Sequence, residues 1–265
     1  MYGNNQKYTY DIARVVKELG FETGFHAIGH SMGASALLGY ILCFPEHVDS
    51  FLALDSVGIY VPTFYDYPQQ FKRSINEALR LEERLQNYTP HEYTYVALKT
   101  RYLQGSSMMG GEHTVEEHAA DIMLERGAVR NPITGNFYYA RDLKTIMPTP
   151  VTYTMESAKM MLSNYKNFQK PHLQMLTSKN SWLKPALADH DSREEVVNKY
   201  REIFKEFETN EQFRFFIVDD NHHVHLNHPK MVTDRVNKWI ANTADIDAVD
   251  KHSNFYCNLL LLSGF

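Results

Sequence analysis

The chain has 265 residues, 43% of them apolar and 22% charged, which is typical of a globular protein with a sizeable core. A net charge of −5 gives no electrostatic reason to expect a nucleic acid or an anionic membrane surface as partner. The two cysteines, Cys43 and Cys257, indicate neither a disulfide framework nor a zinc site. No signal peptide and no apolar run of about 20 residues is present, so we predict no membrane span and a cytoplasmic location.

The first sixty residues predict a strand–helix–strand unit. Helical spacing of apolar residues predicts a helix over Ile12–Leu19, and the run FHAIG from Phe25 predicts a short strand. A strongly apolar helix over Ala34–Leu42 and a second strand over Phe51–Leu54 follow. Continuous apolar strands joined by a helix are typical of a parallel sheet that is covered on both faces.

Residues 61–145 predict a helical cap inserted between two parts of an α/β core, 1–60 and 146–242. The strand and helix alternation resumes after this insertion. The tail, 243–265, shows no helical or strand period, and we expect no clear structure there. The further predicted elements are helices over Phe71–Leu85, Tyr93–Leu103, Thr114–Arg126, Ser157–Phe168, Glu194–Phe207 and Met231–Ile240, and strands over Leu173–Leu176 and Phe213–Val218.

Gly29–Gly33 form a G-x-S-x-G motif between the first predicted strand and the second predicted helix. A strand–turn–helix of this kind exposes a serine hydroxyl as a nucleophile, and its glycines let the backbones pass closely. Ser31 is therefore the candidate nucleophile, and the backbone amide of Met32 is the candidate oxyanion donor. A second donor normally lies on a His-Gly loop upstream, and the residues before Ser31 contain no such loop.

A histidine-rich loop, 219–228, follows the last predicted strand. A serine hydroxyl is a weak nucleophile at neutral pH and needs an adjacent base. We take His222 as that base and keep His223 as the alternative. The histidines of the loop lack the i, i+4 spacing with an acidic residue that marks a zinc-binding helix, so we expect no metal and no other cofactor.

The acid that would orient the histidine has more than one candidate. The usual position, after the third predicted core strand, holds Asn180, whose amide cannot stabilise an imidazolium by charge. Asp55 directly follows the second strand, a place that some α/β-hydrolases use, and it is our first choice. Asp142 is the second choice. A structural role at a strand end is the alternative explanation for Asp55.

In combination these features resemble the serine hydrolase-like protein family of α/β-hydrolases, which includes the insect kraken-type proteins. The resemblance covers about residues 8–242 and rests on the Ser31 motif, the Leu54–Asp55 strand end, the segments Leu124–Gly127 and Tyr139–Asp142, and the Asn221–His225 loop. It implies a hydrolase fold with a helical cap and an ester-type substrate; a peroxisomal or vesicle-associated location is also compatible with the family. In the family, further strands and the oxyanion loop precede this region. We therefore expect an N-terminally truncated product, with the FHAIG strand at an exposed sheet edge and self-association through that edge.

The prediction is an α/β-hydrolase fold with a mostly parallel sheet and a helical cap, lacking the first strands. The expected function is carboxylester hydrolysis of a small to medium acyl substrate by Ser31, His222 and Asp55, with the Met32 amide holding the oxyanion. The alternative is a non-catalytic hydrolase remnant that acts by binding. Hydrolysis of halides or epoxides through an aspartate nucleophile is disfavoured, because a serine occupies the turn.

Overall fold

The computed structural model describes residues 5–56, 58–59, 67–86, 88–108, 114–146, 154–177, 179, 205–246 and 259–263. Contacts divide the chain into two compact units. The sheet unit comprises Asn5–Thr63, Thr152–Asp220 and Lys230–Phe265, and the helical unit comprises residues 1–4, Phe64–Val151 and Asn221–Pro229. In chain order the described elements are α1 (Asn5–Leu19), β1 (Phe25–His30), α2 (Met32–Cys43), β2 (Val48–Leu54), α3 (Tyr67–Gln86), α4 (Tyr95–Met108), α5 (Glu117–Gly127), β3 (Ala128–Arg130), β4 (Phe137–Tyr139), α6 (Met155–Leu162), β5 (His172–Thr177), β6 (Phe213–Val218), α7 (Val224–Asn227), α8 (Pro229–Ile246) and β7 (Leu259–Ser263).

The sheet unit contains a five-stranded sheet in the order β6-β5-β2-β1-β7. Every neighbouring pair in it is parallel. All six residues of β5 and six of the seven in β2 are buried, as expected for strands of a parallel sheet that is covered on both faces. The parallel α/β sheet predicted from the sequence is confirmed.

The end of the chain corrects two predictions. Helix α8 continues to Ile246, and Leu259–Ser263 form strand β7 within the stretch that we expected to lack clear structure. Strand β7 pairs in parallel with β1, from His26↔Leu259 to His30↔Ser263. The FHAIG strand is therefore not at the sheet edge, because the backbone groups that would be exposed are paired with β7. A run of leucines carries no period of its own, so only the presence of a partner strand reveals it as a strand.

The core of the sheet unit is built around α2, whose residues from Gly33 to Leu42 are all buried. Helix α1 packs on α2 through the buried side chains of Ile12 and Val16. At the crossing, the hydroxyl of Thr9 donates a hydrogen bond to the Ala36 carbonyl at 3.1 Å. A helix that is apolar on every side is thereby fixed inside the unit, and its first turn is held at the end of β1.

The helical unit contains α3, α4, α5 and the antiparallel pair β3–β4. Tyr93 and Phe137 join this pair to the segment before α4 through two backbone hydrogen bonds of 2.8 and 2.7 Å. The three helices overlap those predicted from the sequence, with bounds that differ by one to five residues. The histidine loop differs from the prediction in one respect, since it contains the short helix α7. Of the helix predicted over Glu194–Phe207, residues 194–204 lie outside the described residues, and 205–207 are helical.

Candidate active site

Ser31 sits in a strained turn between β1 and α2. Its backbone has φ 53° and ψ −124°, a conformation that residues with a Cβ adopt rarely. The Ser31 N–H donates to the carbonyl of Leu54 at 2.9 Å, and the Ser31 carbonyl accepts from the N–H groups of Ala34 and Ser35 at 3.1 and 3.2 Å. The turn is thus held on one side by strand β2 and on the other by the first turn of α2. This is the geometry that places a serine hydroxyl at the end of a strand.

Gly29 lets the strand and the helix approach each other at this turn. A Cβ at this position would lie 2.5 Å from Cα and 2.6 Å from the backbone nitrogen of Ala34. These are backbone atoms of α2, so no side-chain rotation relieves the overlap. The first glycine of the motif is therefore required by the crossing of β1 and α2, as the sequence analysis predicted for the flanking glycines.

Met32 is the first residue of α2, and its side chain is 38% exposed. The N-terminus of a helix carries partial positive charge and N–H groups without helical partners, and both favour a developing negative charge. The hydroxyl of Ser35, one turn into the helix, donates to the carbonyl of Gly58 at 2.5 Å and contacts the hydroxyl of Ser56 at 3.2 Å. These contacts fix the segment after β2 against the start of α2.

Asp55 follows β2 and is completely buried. Its backbone also has a positive φ, 47°, and among the described residues other than glycine only Ser31 shares this property. Because β1 and β2 are parallel neighbours with His30 opposite Leu54, the two strained residues lie at the same end of adjacent strands. Strain in a non-glycine backbone concentrates at functional sites, so both positions are candidates on geometric grounds.

Thr177, the last residue of β5, holds the Asp55 carboxylate. Its backbone N–H donates to Oδ1 at 2.7 Å, and its hydroxyl donates to Oδ2 at 2.9 Å. The Asp55 N–H donates in turn to the Met175 carbonyl at 2.8 Å. The sequence analysis missed Thr177. Strand β5 pairs with β2 so that Met175 lies opposite Leu54. This register brings Thr177 to the same end of the sheet as Asp55.

The candidate bases lie in the helical unit. His222 is 4% exposed, and its ring contacts that of His223 with centroids 5.1 Å apart. The side-chain oxygen of Asn221 accepts a hydrogen bond from the His223 N–H at 2.9 Å and so shapes the turn that carries both imidazoles. Both histidines are thus held in an ordered turn, and the choice between them stays open.

The second-choice acid and the position that usually holds the acid have different outcomes. Asp142 is exposed in the helical unit, where its carbonyl accepts from the N–H and the hydroxyl of Thr145 at 2.9 and 2.7 Å. That arrangement is a turn before a short 3-10 helix, which is a structural role for its backbone. Asn180 lies outside the described residues.

One buried histidine belongs to the core of the sheet unit. His172 begins β5, and its Nδ1 lies 2.6 Å from the hydroxyl of Tyr165. Burial lowers the pKa of His172 to about 3, and a contact with the Gln174 side chain opposes that shift. Burial also raises the pKa of Tyr165. This pair is therefore neutral at physiological pH and serves as a packed polar contact. Within the described ranges no group of three or more histidine, cysteine or acidic side chains could hold a metal ion.

Comparison with known proteins supports the hydrolase-type fold predicted from the sequence. The chain is 25% identical over 233 residues to a protein named serine hydrolase-like protein from Danio rerio, covering 88% of this chain and 65% of that protein. Its fold resembles that of a hypothetical protein from Pseudomonas aeruginosa PAO1 (TM-score 0.65, 20% identity, 92% of this chain and 76% of the other). It also resembles a peroxisomal α/β-hydrolase from Saccharomyces cerevisiae (TM-score 0.57, 13% identity, 92% of this chain and 62% of the other). No protein-family model matches the chain.

The chain has the α/β-hydrolase fold. The predicted resemblance to the serine hydrolase-like proteins is confirmed by the Danio rerio relative, of whose length the chain spans slightly less than two thirds. None of the described helices combines the length and the apolar composition of a membrane span.

Proposed function

We propose that this α/β-hydrolase is a serine hydrolase of the carboxylester type and that Ser31 is its nucleophile. The observation that carries the proposal is the conformation of Ser31, which has a positive φ at the turn from β1 into α2. A glycine would occupy this backbone without strain, so the presence of a side chain needs a reason, and the hydroxyl of a nucleophile is one. The name of the Danio rerio relative points to the same class of activity.

The proposed reaction divides ester hydrolysis into two steps. The Ser31 Oγ attacks the acyl carbonyl carbon while His222 accepts the hydroxyl proton, and the protonated imidazole then delivers that proton to the departing alcohol. Water, deprotonated by the same imidazole, attacks the acyl-enzyme, and the proton returns to Ser31 as the acid is released. The Met32 amide, at the positive end of α2, stabilises the oxyanion in each step.

Asp55 is proposed as the carboxylate that orients and stabilises the protonated imidazole. Thr177 donates one hydrogen bond to each of its two oxygens and so holds the carboxylate at the sheet end where Ser31 lies. We propose that the imidazolium N–H binds the carboxylate held in this way. Its complete burial would strengthen that interaction, because a charge pair is attracted more strongly in a medium of low dielectric constant.

A fluorophosphonate probe tests the nucleophile directly. The wild-type protein should be labelled at Ser31 and should hydrolyse p-nitrophenyl acetate and butyrate, whereas Ser31→Ala should show neither. The separate variants His222→Gln and His223→Gln identify the base, since the loss of the base lowers kcat by roughly a thousandfold or more. Short-chain and long-chain p-nitrophenyl esters compare the proposed small to medium acyl groups with larger ones.

The opposite outcome would favour the binding alternative. If folded wild-type protein is not labelled at Ser31 and hydrolyses none of the esters, the chain is not a serine hydrolase, and the remnant that acts by binding becomes the better hypothesis. Circular dichroism of the same samples establishes that the protein is folded, so a negative result reports on chemistry.

A further inference from the structure

Two asparagines fasten the histidine loop to the start of α5. The side-chain nitrogens of Asn221 and Asn227 both donate to the carbonyl of Thr114, each at 2.9 Å. The Asn227 nitrogen also donates to the side-chain oxygen of Asn221 at 3.3 Å. In addition, the Asn227 oxygen accepts from the backbone N–H of Glu116 at 3.0 Å. We call this group, Thr114, Glu116, Asn221 and Asn227, the asparagine clamp.

The clamp closes both ends of the segment that carries the candidate bases. Asn221 precedes His222, and Asn227 ends α7. Between them the backbone is closed on itself, with the N–H of Val224 donating to the Asn221 carbonyl at 3.1 Å and the N–H of Asn227 donating to the His223 carbonyl at 2.9 Å. A loop fixed at both ends by side-chain amides, of which Asn227 is buried and Asn221 half-buried, has little freedom to reorient its imidazoles.

Burial makes the clamp more than a surface contact. Asn227 is 5% exposed. Beside the clamp, Val115, Ala119 and Ala120 form a buried apolar cluster, and Leu226 packs against it. A buried amide whose donors and acceptor are all used specifies one arrangement, because any other leaves polar atoms without partners.

We infer that Asn227 is a positioning residue that holds the imidazole of the histidine loop for proton transfer, through its hydrogen bonds to Thr114 and Glu116. This inference rests on the proposed function for its catalytic part. It predicts that Thr114 and Glu116, which directly precede α5, control the efficiency of the base through Asn227. A displacement of about 1 Å in a catalytic group lowers turnover by up to roughly a hundredfold.

The test compares Asn227→Ala with the control variant Asn210→Ala. Asn210 is 2% exposed; its nitrogen donates to the carbonyls of Phe168 and Lys170 at 2.9 and 2.8 Å, and its oxygen accepts from the Gln212 N–H at 2.9 Å. It therefore makes the same kind of hydrogen bonds within the sheet unit, to partners outside the histidine loop. Both variants should lose stability, which urea unfolding measures.

Only Asn227→Ala should lower kcat for p-nitrophenyl acetate, by roughly tenfold to a hundredfold, with KM changed by less than about twofold. The acidic limb of its pH–kcat profile should also shift, because that limb reports the protonation of the base. Equal losses of kcat in the two variants, or an unchanged kcat in Asn227→Ala, would overturn the inference.

Hydrogen exchange of the backbone amides of 223–228 provides a readout that does not depend on activity. In Asn227→Ala these amides should exchange faster than in the wild type, while those of β2 and β5 keep their protection. If wild-type protein shows no Ser31-dependent hydrolysis, the proposed function fails. Unchanged exchange in Asn227→Ala would overturn the clamp whether or not the wild type is active.

Discussion

Replacing Ser31 by glycine should stabilise the fold while it abolishes hydrolysis. The Ser31 backbone, at φ 53° and ψ −124°, lies close to the first central position of a type II′ turn, about +60° and −120°, which glycine prefers. A residue with a Cβ held in such a region stores about 1–3 kcal/mol of strain. Glycine loses more chain entropy on folding, about 0.5–1 kcal/mol relative to alanine. The difference is a net gain of about 1 kcal/mol for the glycine variant.

The matched variant for this prediction is Ser31→Ala, which removes the hydroxyl and keeps the Cβ. Urea unfolding followed by circular dichroism should give Ser31→Gly the higher free energy of unfolding, by about 1 kcal/mol. Neither variant should react with a fluorophosphonate or turn over p-nitrophenyl acetate. Because both lack the hydroxyl, the difference in stability reports the strain less the extra chain entropy that glycine loses on folding. A glycine variant that is no more stable than the alanine variant would refute the argument that the turn at Ser31 stores strain.

Three further predictions concern Gly29, His172 and Thr177. Gly29→Ala should lower the free energy of unfolding by at least about 2 kcal/mol, because its Cβ would lie 2.5 Å from Cα of Ala34. Exposed substitutions change stability by about 0.5 kcal/mol or less, and a change that small in urea unfolding would contradict the close crossing of β1 and α2. Burial lowers the pKa of His172 from 6.5 to about 3. Between these two pH values the unfolded chain binds a proton that the native chain does not. The free energy of unfolding should therefore fall as the pH drops, by about 2 kcal/mol from pH 7 to pH 5. Urea unfolding at both pH values should show that this loss is smaller in His172→Gln, and an equal loss would assign the acid sensitivity to other groups. Thr177→Val keeps the side-chain shape but removes the hydroxyl donor to Asp55. The kcat for p-nitrophenyl acetate should therefore fall about tenfold, with KM nearly constant. Unchanged kinetics would place Asp55 outside the reaction.

The sequence was sufficient for those parts of the fold that depend on local pattern. Runs of apolar residues predicted β1, β2, β5 and β6, although His26 in β1 and Arg214 and Phe215 in β6 are exposed and only β2 and β5 are almost entirely buried. The turn at Ser31 was predicted from two glycines in their strand–helix context. The placement of Asp55 at the end of β2 also came from order along the chain, since a residue that directly follows a parallel strand must lie at its carboxyl end.

The contacts that hold the site depend on pairings between distant parts of the chain. Thr177 reaches Asp55 across 122 positions, and Asn227 reaches Thr114 across 113. A threonine at a strand end or an asparagine in a loop is common, so neither has a local signal that distinguishes it. Strand β7 was missed for the same reason: its leucines become a strand only beside β1. Register and partner choice, which require the folded chain, decide these positions.

The strain at Ser31 and Asp55 bears on the choice between a catalyst and a remnant that acts by binding. Two adjacent strand ends each hold a Cβ-bearing residue at positive φ, and among the described residues other than glycine no other position does so. A binding scaffold would be more stable with glycine at position 31, because the fold there needs the backbone conformation and not the hydroxyl. A nucleophile needs its hydroxyl, and a charged partner for an imidazole needs its carboxylate, so catalysis accounts for both exceptions together. The catalytic explanation predicts that both Ser31→Gly and Asp55→Asn lose hydrolysis and that Ser31→Gly gains stability. The binding explanation does not predict this combination.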